Sequence, residues 1–294
     1  QCINNLKQIT LGAHNFHSTF KRFPPGHEVL GPEEDAQGYP DGSGDPQAVN
    51  GFLTLLLPYL DQVNIENNYD YLFGFDNPVN TLAVTQEVAT FLCPSAAGSN
   101  RQAPLINFRE PALTAMNEGR TGGATDYTGI RIYFQNWGAD GRSTGLFDRA
   151  FERDGGLAFR DIRDGTVNTL MLVEKAGMPD YYILGRQVDY SSDAAFNSSW
   201  PYIFQGGPVW YFGPWSGFMG DNLFSMGVNA DLSSQGADSC YINCNNTSTP
   251  YSFHPGGVNI SLADGSARFI SETIDPLTYR FLIDPQDGQV LGDF

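Results

Sequence analysis

The 294-residue chain carries 16 Lys and Arg against 33 Asp and Glu, a formal charge of -17, which repels a phosphate backbone and excludes nucleic acid as a partner. With 41% hydrophobic and 17% charged residues, 33 glycines and 18 prolines, it reads as a loop-rich globular protein containing sheet, not as a helical bundle. No apolar run approaches the roughly 20 residues of a membrane span. Neither a signal peptide nor an initiator Met is visible, so the chain reads as a processed or truncated product.

From Gln1 onward, Ile3, Leu6, Ile9, Ala13, Phe16 and Phe20 recur at helical spacing and predict one amphipathic helix, stopped by Pro24, Pro25 and Gly26. Nothing caps its start, which predicts a helix continuing upstream. His14 and His17 stand at i, i+3 on it; without a His-Glu-x-x-His context they read as a solvated or interfacial pair before a metal site. The acidic, Gly- and Pro-rich stretch from Glu28 to Asn50 predicts an exposed loop. Its Asp41 and Asp45 are candidate calcium ligands, against the reading of a solvated acidic surface, since no complete twelve-residue ligand pattern is present. No other cofactor is expected. Residues 51–70 predict a second helix kinked at Pro58, and Pro78 to Thr90 a short third one leading into "FLCPS".

Beyond residue 100 the helical period gives way to short apolar runs, "LAFRDI", "TLMLVEK", "YYILGRQV", "GPVWYFG" and "VNISLADGSARFI", separated by Asp-Gly, Gly-Gly and Pro turns. Helix first and strands later predicts an α+β fold. Asp264-Gly265 predicts a two-residue type I′ hairpin, pairing Ala263 with Ser266, Ile260 with Phe269 and Val258 with Ser271. Val258, Ile260, Leu262, Ala267 and Phe269 then share one face of a sheet buried on one side. His254 lies at the far end of that hairpin, out of reach of Asp264, with Glu272 or Asp275 as its expected neighbours. It reads as a structural histidine at a strand entrance, with Gly256 and Gly257 permitting a tight bend or close backbone approach. Asp164-Gly165 predicts another turn before a strand Leu170 to Val173, and Glu174 at its end predicts an ion pair with a nearby base in preference to a ligand site.

Cys2, Cys93, Cys240 and Cys244 lack zinc-ribbon spacing and predict disulfides, Cys240 with Cys244 closing a small loop and Cys2 with Cys93 fastening the N-terminus to the body. Both require an oxidising compartment. Asn-x-Ser/Thr sequences at Asn197, Asn245, Asn246 and Asn259 are compatible with export. Aromatics concentrate between Trp200 and Phe218; Trp200, Tyr202, Trp210, Tyr211 and Trp215 are candidates for a ligand or interface face, with a sheet core as the competing reading.

The blocks "QCINNLKQITLGAHNFHSTFKRFPPG", "FLCPS", "ATDYTG", "DIRDGTVNTLMLVEKAG", "SFHPGGVNISLADGSARFISETIDP" and "LIDPQDGQVLGDF", in that order over nearly the whole chain, resemble the prepilin-type H-x(9)-D-G family, a domain of unknown function expanded in planctomycete bacteria. Arg163 and Val167 depart from that pattern, which more often has small hydroxyl residues there. The resemblance implies a type IV pilin-like architecture: a leader cut by a prepilin peptidase, a long apolar N-terminal helix embedded in the membrane before assembly, and a globular head. Residues 1–26 then correspond to the amphipathic half of that helix and its stop, and 27–294 to a single-domain head with long loop-rich insertions on an antiparallel sheet.

These readings converge on a non-enzymatic structural subunit of a pilin-like filament, pseudopilus or cell-surface assembly, extracellular or in the envelope. Its partners would be itself or other pilin-like subunits, met through an apolar stripe on the first helix left partly open. The alternative is an envelope-anchored binding module for carbohydrate or another solute. No Gly-x-Ser-x-Gly elbow, phosphate loop or dinucleotide fingerprint occurs, and no catalytic residues are assigned.

Overall fold

The computed structural model describes residues 1–30, 48–98, 100–105, 119–134, 142–147, 156–188, 213–217, 222–226, 240–247, 249–289, 291–292 and 294. The N-terminal stripe folds as one helix, α1 (Cys2–Phe20), ended by Lys21 in the left-handed region at φ 63, whose N–H returns to the His17 carbonyl. Among the described residues no helix is long and apolar enough to cross a membrane.

Next come β1 (His27–Leu30), β2 (Ala48–Gly51), α2 (Phe52–Leu56), α3 (Val63–Glu66), α4 (Thr81–Val84), β3 (Gln102–Pro104), β4 (Thr121–Gly123), β5 (Tyr127–Phe134), β6 (Arg142–Thr144) and β7 (Leu170–Glu174). They are followed by β8 (Tyr181–Ile183), β9 (Arg186–Val188), β10 (Asn222–Met226), β11 (Gly257–Leu262), β12 (Ala267–Ser271) and α5 (Pro276–Ile283). The central sheet runs β10-β5-β7-β11-β12, with β6 also on β5. It is antiparallel except for β10, which lies parallel to β5. A helix laid on a largely antiparallel sheet makes the fold α+β.

Four predicted elements differ. The predicted loop from Glu28 to Asn50 has strands at both ends, β1 and β2, which pair antiparallel, and Asn50 is buried. The second helix is broken into α2, a 3-10 turn at Leu57–Tyr59 and α3, because Pro58 offers no N–H to continue the ladder and Asp61 takes φ 57. Between Pro78 and Phe91 only α4 is α-helical, flanked by 3-10 turns. "LAFRDI" is no strand: Phe159–Asp161 form a 3-10 turn, with the Asp161 carboxylate accepting the Ala158 N–H at 2.8 Å.

The β11–β12 hairpin forms, but its register is one residue off the prediction. Ile260 faces Arg268, Val258 faces Ile270 and Gly257 faces Ser271. The Gly265 N–H reaches the Leu262 carbonyl at 3.0 Å and the Leu262 N–H reaches Ser266 at 2.9 Å, while only Gly265 of the Asp-Gly pair has positive φ, at 90. This is the three-residue loop with a bulged glycine, not a type I′ turn. The slip turns β12 over: Ile270 is buried and Phe269 is 45% exposed.

β11 is buried along its whole length, so the one-sided sheet of the sequence reading is also corrected. On one face Val258, Ile260 and Leu262 join Val173 and the α5 residues Tyr279, Leu282 and Ile283. On the other, Ser261 accepts a 2.7 Å hydrogen bond from Thr10 of α1. Leu6, Ile9, Ala13 and Phe16 of α1 are buried in one cluster with Phe52, Leu53, Phe91, Tyr127 and Trp215. The stripe expected to be partly open for assembly is covered by the protein's own body at Leu6, Ile9, Ala13 and Phe16; only its ends stay uncovered, Ile3 half-buried and Phe20 52% exposed.

Candidate functional site

Alternation along β7 puts Glu174, two residues after Leu172, on the face that α1 covers. Its side chain is fully buried at the strand's last position. β11 supplies Asn259, whose backbone N–H donates to Glu174 Oε2 at 2.8 Å and whose Nδ2 donates to Oε1 at 3.0 Å. The turn entering β11 brings His254, with Nε2 3.2 Å from Glu174 Oε1. The Ser252 hydroxyl orients that turn by accepting the His254 N–H at 3.0 Å and donating to the Gly257 carbonyl at 2.7 Å.

The Cys2–Cys93 disulfide, which joins the first turn of α1 to the loop after residue 91, closes the corner from above. Cys93 Sγ is 3.7 Å from both Glu174 Oε1 and His254 Nε2. Tyr127 lies against the same corner, its hydroxyl donating to the Cys2 carbonyl at 3.3 Å. Asp126 fixes the Cys93 loop: its carboxylate accepts the Cys93 N–H at 2.8 Å and the Gly177 N–H at 3.0 Å. It is also paired with buried Arg101.

Burial pushes the Glu174 carboxyl above the usual carboxylate range, opposed by the Asn259 hydrogen bonds and by His254. Burial, and then the neighbouring Glu174, raises the Tyr127 phenol far enough to keep it neutral. The sulfurs of a closed disulfide hold no proton, so neither donates to Glu174 Oε1. Four ligand-bearing side chains, Cys2, Cys93, Glu174 and His254, bring their donor atoms within 4.8 Å of one another.

The sequence reading assigned the partner of Glu174 correctly in kind, since a base faces it. It misplaced His254, because Glu272 instead accepts from Asn243 Nδ2 at 3.1 Å. Asn259, Asp126 and Arg101 were missed; no local pattern in the sequence marks them. Asp264 accepts only its local Ser266 N–H, at 2.8 Å, and Gly265 abuts His14. Gly256, at φ 82, makes the bend expected of it, and Gly257 lets the Ile270 carbonyl come close.

His14 Nε2 lies 3.0 Å from the Ala263 carbonyl, and His17 Nε2 accepts the Phe159 N–H. Burial, with His14 next, holds the His17 imidazole below its ordinary value. Both histidines thus serve packing of α1. The second disulfide, Cys240–Cys244, is present as predicted. Asn245, Asn246 and Asn259 are buried and hydrogen-bonded, which removes them as glycosylation acceptors in the folded chain. Trp215 is a core residue donating its indole N–H to Gln86 at 2.9 Å, so it offers no ligand face. Trp200, Tyr202, Trp210, Tyr211, Asp41 and Asp45 lie outside the described residues.

No curated protein and no solved structure matched the chain. A family model described as "Protein of unknown function (DUF1559)" matches residues 1–277, nearly its whole length, and the chain belongs to that family.

Proposed function

We propose that the protein is a non-enzymatic structural subunit of a pilin-like assembly, acting outside the cytoplasm at the cell surface or in the envelope. The observation that carries this reading is the division of α1 into two faces. One face is locked onto the sheet through Leu6, Ile9, Ala13 and Phe16, and ends at Phe20, 52% exposed with its ring against Phe16; the opposite face leaves Leu11 59% exposed among polar residues. An outward leucine at mid-helix and an uncovered phenylalanine at the helix end, on a helix held by its own head, are apolar side chains that neighbouring subunits can cover. Two disulfides among the described residues suit an oxidising compartment.

Electron cryo-microscopy of the protein isolated from its native envelope tests the reading, together with a Leu11→Glu/Phe20→Glu variant. Regular assemblies with α1 at the subunit contacts are expected, lost in the variant while it still folds and melts cooperatively, since the ring contact it removes is that of Phe20 with Phe16. Dispersed monomers from the native envelope, or assemblies indifferent to both substitutions, overturn it.

A further inference from the structure

We propose that reduction of Cys2–Cys93 converts the corner under α1 into a four-coordinate site for a zinc-class divalent cation, with Cys2 Sγ, Cys93 Sγ, Glu174 Oε1 and His254 Nε2 as its ligands. Three of these atoms already stand at ligand spacing. Glu174 Oε1 to His254 Nε2 is 3.2 Å, and Cys93 Sγ is 3.7 Å from each. A tetrahedral zinc with one oxygen, one nitrogen and two sulfur ligands has edges of about 3.3–3.8 Å, from metal–ligand distances of about 2.0–2.3 Å, so the Glu174–His254 pair need open by only about 0.1 Å. The fourth atom, Cys2 Sγ, lies in the same cluster and is freed to take its vertex once the S–S bond opens.

The donor set selects the metal. Two thiolates and an imidazole suit a borderline-soft ion and not calcium or magnesium. The surroundings are those of a prepared site: Asn259 holds both oxygens of Glu174, and the Ser252 hydroxyl sets the His254 turn. The His254 side chain is 25% exposed, which gives the cation and the reductant a way in.

The chemistry balances with a dithiol as reductant. It donates two electrons and two protons, the S–S bond breaks, the dithiol closes to its own disulfide, and two protein thiols form. Metal binding then makes two metal–thiolate bonds and one bond each to Glu174 Oε1 and His254 Nε2, and releases both thiol protons to solvent. The first turn of α1 is thereby tied to the Cys93 loop in either redox state, by a covalent bond when oxidised and by a metal when reduced.

The test uses the full chain with Cys240→Ser and Cys244→Ser, which removes the other thiols. It is reduced with a phosphine that is then removed under argon, and titrated with Co²⁺ followed by Zn²⁺. One Co²⁺ per chain is expected, with thiolate-to-cobalt charge-transfer bands. X-ray absorption of the zinc form should show two sulfur and two nitrogen or oxygen ligands, and the oxidised protein should bind neither ion. Adding His254→Ala should weaken affinity by at least about 10-fold. Absence of uptake by the reduced chain, a shell lacking sulfur or made of sulfur alone, or affinity unchanged by His254→Ala overturns the proposal. So does a reduced chain that unfolds and is not refolded by zinc. Should His254→Ala fail to fold, the ligand shell of the parent protein decides.

Discussion

Asp126 is fully buried, and one side chain, Arg101, supplies the charge that balances it. Arg101→Ala would leave the carboxylate with only its backbone donors in a site without water-like screening. A loss of about 3–5 kcal/mol is expected for such a stranded charge, read as a lower urea midpoint at unchanged slope. A loss under about 1 kcal/mol would mean that the pair carries no such burden. Neither partner was legible in sequence, because the pair joins residues 25 apart across an intervening hairpin that no local pattern encodes. Glu174 was more legible: a carboxylate ending an apolar strand must find a partner, though which base it finds depends on how the turn before β11 folds over it.

Two adjacent glycines at the entrance to β11 do different work. A Cβ at Gly257 would stand 2.0 Å from the Ile270 carbonyl oxygen, whereas at Gly256 it would meet open space but sit on a backbone at φ 82. Gly256→Ala should therefore cost only the left-handed penalty of about 1–2 kcal/mol. Gly257→Ala should cost more, since strand β12 must move away, and chemical denaturation of the two variants side by side checks the order. α1 was legible as one amphipathic helix because its 3.6-residue stripe meets a matching apolar surface, though it ends at Phe20, ahead of the prolines, where Lys21 turns left-handed. The hairpin was legible in existence but not in register: a two-residue and a three-residue loop share the same Asp-Gly letters, and a single residue decides which face β12 turns inward. The second helix failed because a proline and a left-handed aspartate outweigh a good apolar period.

At the scale of the molecule, α1 and α5 cover opposite faces of the sheet, and the Cys2–Cys93 bond closes a loop with a sequence separation of 91. Replacing both cysteines by serine should lower stability by about 4–5 kcal/mol through the entropy of the opened loop, measurable as a fall in thermal midpoint. The α+β class and both disulfides could be read from the sequence. The burial of both sheet faces could not, because alternating Asn259 and Ser261 look solvent-facing until α1 lies on them and Thr10 bonds to one of them. The same covalent bond sets how tension would travel. A pull applied ahead of Cys2 passes through sulfur directly to the Cys93 loop, so α1 cannot be peeled from the sheet end first. The chain between the two cysteines, roughly 300 Å if drawn straight, stays out of the load path for as long as the disulfide holds.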